Sequence, residues 1–381
     1  MAEEQMTTEF EPNRPAPPRV ALIASRRIIF EYQLYLKYLL VGLADESVPV
    51  LLVCPPVPEI DAIAPPAVEI VRHPAIDVPF LERYNQKLLL HCLMEFRPDL
   101  LHCLCETRAA LARWLAKHLN LNYLLNVNSI VPRLRLLNLS KSRCAAIIAS
   151  AKTIADSFAS GHQKFADRIR QINIGAFVPD TTACFANPKR LACIIIEHHL
   201  DNPADLQNLL NALHRLSVEN YEFLVALVGT GRAESEIRKQ LITLGLSRFV
   251  TIVPRLSGLD SVLSSTDIFV VPRPTSSFNS LLLAAMSAGC AVAACKGGVD
   301  DLIIGDKTAV TFDPDDGLSI YNCLKRLLDA PDFARQIAAG AQQHLRQNHH
   351  VSDMVASILQ LYQALSSSDR NPSRLSETKL A

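Results

Sequence analysis

Residues 268–294 read IFVVPRPTSSFNSLLLAAMSAGCAVAA. An aliphatic run over Ile268–Val271 stops at a proline, a polar Pro/Thr/Ser loop follows, and a helix-forming run covers Leu281–Ala288. A second aliphatic run, Ala291–Ala294, begins two residues after Gly289. Both runs are apolar at every residue instead of every second one. Strand, helix, strand in that order and of that kind predicts two parallel strands joined by a crossover helix and covered on both faces.

The same unit repeats on either side. Upstream, strands are predicted at Leu191–Glu197, Phe223–Val228 and Phe249–Val253, with helices at Ala204–Leu216 and Glu234–Leu244; downstream, helices are predicted at Leu318–Leu328, Asp332–Asn348 and Val351–Leu365. An independent series fills the first half. Its strands are Arg19–Ala24, Val48–Cys54, Val68–Arg72, Asp99–Cys103, Asn122–Val127, Ala145–Ala149 and Arg170–Ile174, and its helices Phe30–Leu43, Phe80–Glu95, Arg108–Leu119 and Lys152–Ser160. The expected fold class is α/β, two doubly wound Rossmann-like domains facing across a cleft, where ligands of open parallel sheets bind. The expected organisation is a disordered segment over residues 1–18, a first domain over 19–177, a linker over 178–190 carrying two prolines, a second domain over 191–365 and a flexible tail over 366–381.

Composition agrees with two domains and excludes several classes. The 381 residues are 49% hydrophobic and 20% charged, and 38 Lys and Arg balance 38 Asp and Glu, which argues against a disordered chain and against a globally basic nucleic-acid binder. The ten cysteines sit mostly within apolar runs, with no CxxC pair and no zinc spacing, and read as reduced thiols of a cytoplasmic protein. The acidic, then Pro-rich, opening has no signal-peptide pattern, and no apolar run approaches the roughly 20 residues that cross a bilayer.

Such folds serve nicotinamide dehydrogenases and sugar-nucleotide enzymes alike, so the phosphate motifs discriminate. The best glycine loop, Gly229-Thr230-Gly231-Arg232-Ala233-Glu234, has Glu234 where the dinucleotide fingerprint needs its third glycine, and no acid ends the next strand to hold a ribose. The first strand-helix junction, Ala24-Ser25-Arg26-Arg27, has no glycine at all.

The segments VALVGTGRAESEIRKQLITLGLSRFVTIVPRL (225–256) and STDIFVVPRPTSSFNSLLLAAMSAGCAVAACKGGVDDLI (265–303) resemble the carboxy-terminal domain of family 4 glycosyltransferases, retaining and metal-independent enzymes of the GT-B fold. More loosely, RPDLLHCLCE, AAIIAS and INIGAF resemble elements of that family's first domain. The resemblance implies a nucleotide-sugar donor, no cofactor, and a last helix returning to the first domain. It also implies a Glu-x7-Glu element, and here those positions are Ser276 and Ala284. The family's diphosphate-holding Arg and Lys fall on His199 and Ala204, its loop glycines on Arg26-Arg27, and the second histidine of His-x-His on Leu104. The next histidine falls around Asn126–Asn128.

A departing diphosphate develops charge that fixed cations must meet, and removing one such donor costs on the order of 10² to 10³ in rate. A catalytically degraded protein acting beside enzymes of polysaccharide or glycolipid assembly is therefore expected, with an active hexosyltransferase of altered site as the alternative. The residues that retain an anion-binding character are Gly229, Gly231, Arg232, Arg255, Arg273, Ser277, Phe278 and Lys296, with Ser276-Ser277-Phe278 expected to open a helix whose amides face a phosphate. Ordinary loop surface is the competing reading for the arginines. Lys296-Gly297-Gly298 with Asp301 matches a Gly-Gly-x-x-acid turn of the family. His102-Cys103-x-Cys105 alternates across a strand, so no metal is expected there.

From Thr107 to Ala155 there are eight basic residues and no acid, among them Arg108, Arg113, Arg133, Arg135, Lys141 and Arg143. A face that meets anionic lipid or an acidic partner, as the family's first domain does, competes with a solvated surface whose acids lie elsewhere. The membrane reading predicts flotation with anionic vesicles at low ionic strength and release as salt rises. No flotation even at low salt would eliminate it.

Overall fold

The computed structural model describes residues 17–73, 82–132, 137–254 and 259–369. Expectations placed on Arg133, Arg135, Arg255 and the stretches 1–16 and 370–381 lie outside the described residues.

The first half builds β1 (Val20–Ile23), α1 (Arg26–Glu31), α2 (Gln33–Asp45), β2 (Val50–Cys54), β3 (Glu69–Arg72), α3 (Glu82–Phe96) and β4 (Leu100–Cys103). It continues with α4 (Ala109–Leu119), β5 (Tyr123–Val127), β6 (Cys144–Ala149), α5 (Lys152–Gly161) and β7 (Ile169–Gln171). Their strands form one parallel sheet in the order β3-β2-β1-β4-β5-β6-β7. The second half builds β8 (Ala192–Glu197), α6 (Ala204–Val218), β9 (Phe223–Val228), α7 (Glu234–Thr243), β10 (Val250–Val253), α8 (Leu259–Leu263) and β11 (Ile268–Val271). After these come α9 (Ser280–Ala288), β12 (Ala291–Cys295), β13 (Val310–Phe312), α10 (Gly317–Asp329), α11 (Pro331–Asn348) and α12 (Val351–Asp369), with a second parallel sheet in the order β10-β9-β8-β11-β12-β13. The strands β1, β2, β4, β11 and β12, apolar but for His102 in β4, are buried at every residue, as coverage on both faces requires.

Several elements differ from the pattern-based expectation for local reasons. Helix α1 is initiated by the Ser25 hydroxyl, which accepts from the Ile28 amide at 3.4 Å, and is separated from α2 at Tyr32, whose φ of −115° and ψ of 33° are not helical. Strand β7 ends at Gln171 because the chain then leaves the sheet, and Ala176 pairs with His350. Strand β13 has only three residues on a sheet edge, too few for a periodic signal. Residues 366–369, expected in a flexible tail, continue α12. The linker is bonded, not loose: Ala183 and Cys184 donate to the carbonyls of Ala288 and Gly289, both at 3.0 Å, and the Phe185 amide donates to Asp267 at 2.7 Å.

Helix α12 returns to the first sheet and is fastened there by a buried polar chain. The Tyr362 hydroxyl donates to His102 Nδ1 at 2.6 Å, Nε2–H of that ring donates to Asn126 Oδ1 at 2.7 Å, and the Asn126 amide donates to Tyr35 Oη at 2.6 Å. This sequence of donors assigns a neutral Nε2–H imidazole. Burial pushes the His102 pKa down to about 4, against the weaker opposing pull of Asn126.

A base depressed in the folded state is protonated first in the unfolded chain. Its contribution is therefore complete above about pH 6.5 and is lost as pH falls toward 4, at most about 3 kcal/mol. Urea unfolding across that window is expected to show a shallower pH slope in His102→Gln. Tyr362→Phe, which leaves Nδ1 buried without its donor, is expected to cost about 1–3 kcal/mol at pH 7.

Candidate functional site

The carboxyl ends of the two sheets face one another, and the loops that leave them meet. The Ile130 amide donates to the Ser276 carbonyl at 2.7 Å, the Phe278 amide donates to the Asn128 carbonyl at 2.9 Å, and Ser129 and Ser277 form an antiparallel bridge between these bonds. The phenol of Tyr32 lies behind the bridge and donates to Phe278 O at 2.9 Å and Asn128 O at 3.3 Å. Burial pushes its pKa up, which keeps it a donor. Ser280 Oγ donates to the Glu31 carbonyl, and the Thr153 amide at the start of α5 donates to Asp301 Oδ1 at 3.1 Å.

Two carboxyls line this junction. Glu106 is 4% exposed; it accepts from Ser129 Oγ at 2.5 Å and from the Asn128 amide at 3.4 Å, with Arg27 Nη1 3.7 Å away. Glu197 ends β8, is held by the Asn279 amide, and leaves its Oε2 buried with no partner. Burial raises its pKa to about 7. Asn279 is doubly occupied, because its Oδ1 also caps α9 by accepting from Leu282 N at 2.7 Å.

The residues singled out in the sequence fall in different places. Ser276 is exposed and contributes its carbonyl to the bridge; Ser277 and Phe278 belong to the bridge itself. They do not open a helix: α9 begins at Ser280, and the Phe278 amide is engaged by Asn128. A one-residue-at-a-time helix signal could not reveal this, because the competing partner is about 150 positions away, at Asn128. Ala284 faces the back of α9, toward α2 and the linker. His199 and Ala204 are exposed at the β8-α6 turn, and neighbouring His198 lies 3.8 Å from Asp205.

Gly229 and Gly231 pack on that turn rather than cradle an anion. A Cβ on Gly229 would lie 1.9 Å from the His198 carbonyl oxygen, and one on Gly231 would lie 2.2 Å from Leu200 main-chain atoms. Arg232 is held by Asp201, and Arg273 donates to the Asp205 carbonyl at 3.1 Å and to Asp315 at 2.6 Å. Lys296 is exposed and extends over Gly305, while the turn that follows it bonds Gly297 N to Asp300 at 2.9 Å and pairs Gly298 with Thr275. Arg232 and Arg273 are thus both bonded to the segment from the end of β8 to the first turn of α6, while Lys296 extends over a different turn.

Of the basic stretch, Arg143 is spent on the Asn120 side chain at 2.6 Å and the Leu121 carbonyl at 3.4 Å, Arg108 and Arg113 are half-buried, and Lys141 is exposed. The Cys103 thiol donates to the Cys105 carbonyl at 3.1 Å, and Thr107 donates to the Cys105 sulfur at 3.3 Å. No group of three metal-binding side chains occurs among the described residues. Sequence reading missed Tyr32, Glu106, Glu197 and Asn279. An acid closing an otherwise aliphatic strand was the available signal for Glu197; Tyr32 carried none.

Comparison with known proteins places this geometry. The family model for glycosyl transferases group 1 matches residues 194–330. A glycosyltransferase from Rickettsia africae ESF-5 has a similar structure, with TM-score 0.75 and 13% identity over 92% of this chain and 99% of that one. Anabaena HepE in complex with UDP and glucose follows, with TM-score 0.75 and 15% identity over 91% of this chain and 100% of that one. Sucrose-phosphate synthase from Thermosynechococcus elongatus gives TM-score 0.73 and 17% identity over 92% and 100%. The fold is that of GT-B glycosyltransferases. No curated protein sequence matches the chain.

The raised Glu197 pKa has the opposite sign to that of His102. An acid raised in the folded state loses stability as pH rises from about 4.5 to 7, by at most about 3 kcal/mol. Glu197→Gln keeps a neutral side chain at all pH, and is expected to be more stable than the parent at pH 8 and nearly equal at pH 4.5, measured by urea midpoint.

Proposed function

We propose that this chain is a glycosyltransferase-like protein that has lost sugar transfer and acts as a binding or scaffold component of polysaccharide or glycolipid assembly. The observation that carries the reading is the state of Arg273. It donates to the Asp205 carbonyl in the first turn of α6, beside the turn at which the family resemblance places the diphosphate clamp, and it is already paired with Asp315 at 2.6 Å. His199 and Ala204 supply no fixed charge, Ser276 and Ala284 no carboxylate, so neither half of the donor machinery stands at its position. Glu106 and Glu197 stand at the junction between the sheets, and neither supplies the fixed positive charge that a departing diphosphate needs.

A nucleotide-sugar ligand remains compatible with this reading, because binding the ground state alone accelerates nothing. HepE, solved with UDP-glucose, shares the fold and supports testing that ligand class first. The ten free cysteines suit a reducing compartment such as the cytoplasm. Attachment to a membrane, if it occurs, would be peripheral through Arg108, Arg113, Lys141 and Arg143; among the described residues no helix is long and apolar enough to cross a bilayer.

Purified protein is expected to show no donor hydrolysis or transfer above background with uridine, guanosine or adenosine sugars, while calorimetry reports whether any of them binds. Ile130→Pro removes one of the two amides that close the junction, and turnover should stay absent in it, since opening the cleft restores no missing charge. Turnover in the parent that Arg273→Ala and His199→Ala abolish would overturn the proposal and make those residues a replacement clamp.

A further inference from the structure

A cavity of about 570 Å³ lies behind the bridged junction, between α2, the linker and the back of α9. Its volume arises from small side chains: α9 turns Ala284 and Ala288 toward it, and the linker adds Ala176 and Ala183. The size falls within the roughly 300–1,000 Å³ of small-molecule sites.

Most of the side-chain hydroxyls on its wall are bonded within the protein. Ser287 Oγ donates to the Phe177 carbonyl at 2.5 Å, Ser264 Oγ to the Ser261 carbonyl at 2.9 Å, and Ser280 Oγ to the Glu31 carbonyl. Thr182 Oγ1 donates to Gln342 at 3.3 Å, and Tyr35 Oη accepts from Asn126 at 2.6 Å. Among the described residues no charged side chain lines the space. A polar ligand would lose its water with little compensation there, whereas an apolar one would not.

The rim is apolar as well. Phe177 lines the cavity yet is 63% exposed, with Tyr38 edge-on to it at a centroid distance of 4.8 Å. Val41, three residues beyond Tyr38 on α2, is 39% exposed. Apolar wall therefore continues from the interior to the surface.

We infer that this cavity holds the alkyl chain of a single-chain amphiphile, with the polar head left in water beyond Phe177. A methylene occupies about as much space as a water molecule, ~30 Å³, so the volume suits a chain of roughly 15–20 carbons. The site adjoins the bridged junction, sharing Ser280 with it, but the inference does not depend on whether that junction turns over sugar.

The experiment titrates the full chain with cis-parinaric acid by fluorescence, then displaces the probe with octanoate, decanoate, dodecanoate and hexadecanoate. Saturable binding of one probe per chain is expected. Each added methylene should tighten displacement about fourfold until the cavity is full, and then have little effect. Ala284→Leu and Ala288→Leu, which fill the space, should weaken probe binding at least tenfold while thermal unfolding stays cooperative. If either filled variant does not fold, Phe177→Ser at the exposed rim gives the second reading, with binding weakened severalfold and the fold unaffected. Absence of saturable binding, several probes per chain with no chain-length limit, displacement by UDP, or unchanged affinity in folded variants would each overturn the inference.

Discussion

The two sheets are held at one separation by main-chain pairing between residues 128–130 and 276–278. Such bonds depend on backbone path, not on side-chain identity, so the contact tolerates substitution of the side chains on the same loops. Each contributes only about 0.5–1.5 kcal/mol net, too little alone to fix two domains. The remainder comes from groups that position the paired segments. Tyr32 donates to both loops, Glu106 orients Asn128 and Ser129, Asp301 anchors the start of α5, and α12 carries Tyr362 back to the first sheet.

That constraint governs the electrostatics of the junction. A loop whose amides already meet carbonyls of the other domain has fewer donors for a phosphate, and the helix behind it is capped by Asn279. Glu197, brought close to Asn279 and Glu31, stays mostly protonated below pH 7 because burial disfavours its charged form. Arg273 and Arg232 turn to acids and carbonyls of their own domain. The result is a junction built to stay joined.

Opposite pH dependences follow from the two polar devices at either side of this contact. The His102 chain favours neutral solution and the Glu197 carboxyl favours acid, so their effects oppose one another over overlapping ranges. Both depend on burial, and neither would exist in an isolated domain whose inner face met water.

What the sequence determined by itself was the two-sheet architecture. Ile268–Val271 and Ala291–Ala294 are aliphatic at every position, and an uninterrupted apolar strand has one stable solution, a parallel sheet covered on both sides, whatever lies far along the chain. The residue types at Ser276, Ala284, His199 and Ala204 were legible for the same reason, since the chemistry of a residue type is local. Tertiary structure alone decided which groups meet. Ser277 reads as a helix opener until Ser129 arrives to pair with it, Gly229 reads as a phosphate loop until the His198 carbonyl fills the space a side chain would need, and Arg273 reads as a free cation until Asp315 folds over it. In each case the deciding partner comes from a distant part of the chain, and periodicity and propensity act only over the few residues that one turn or one strand brings together.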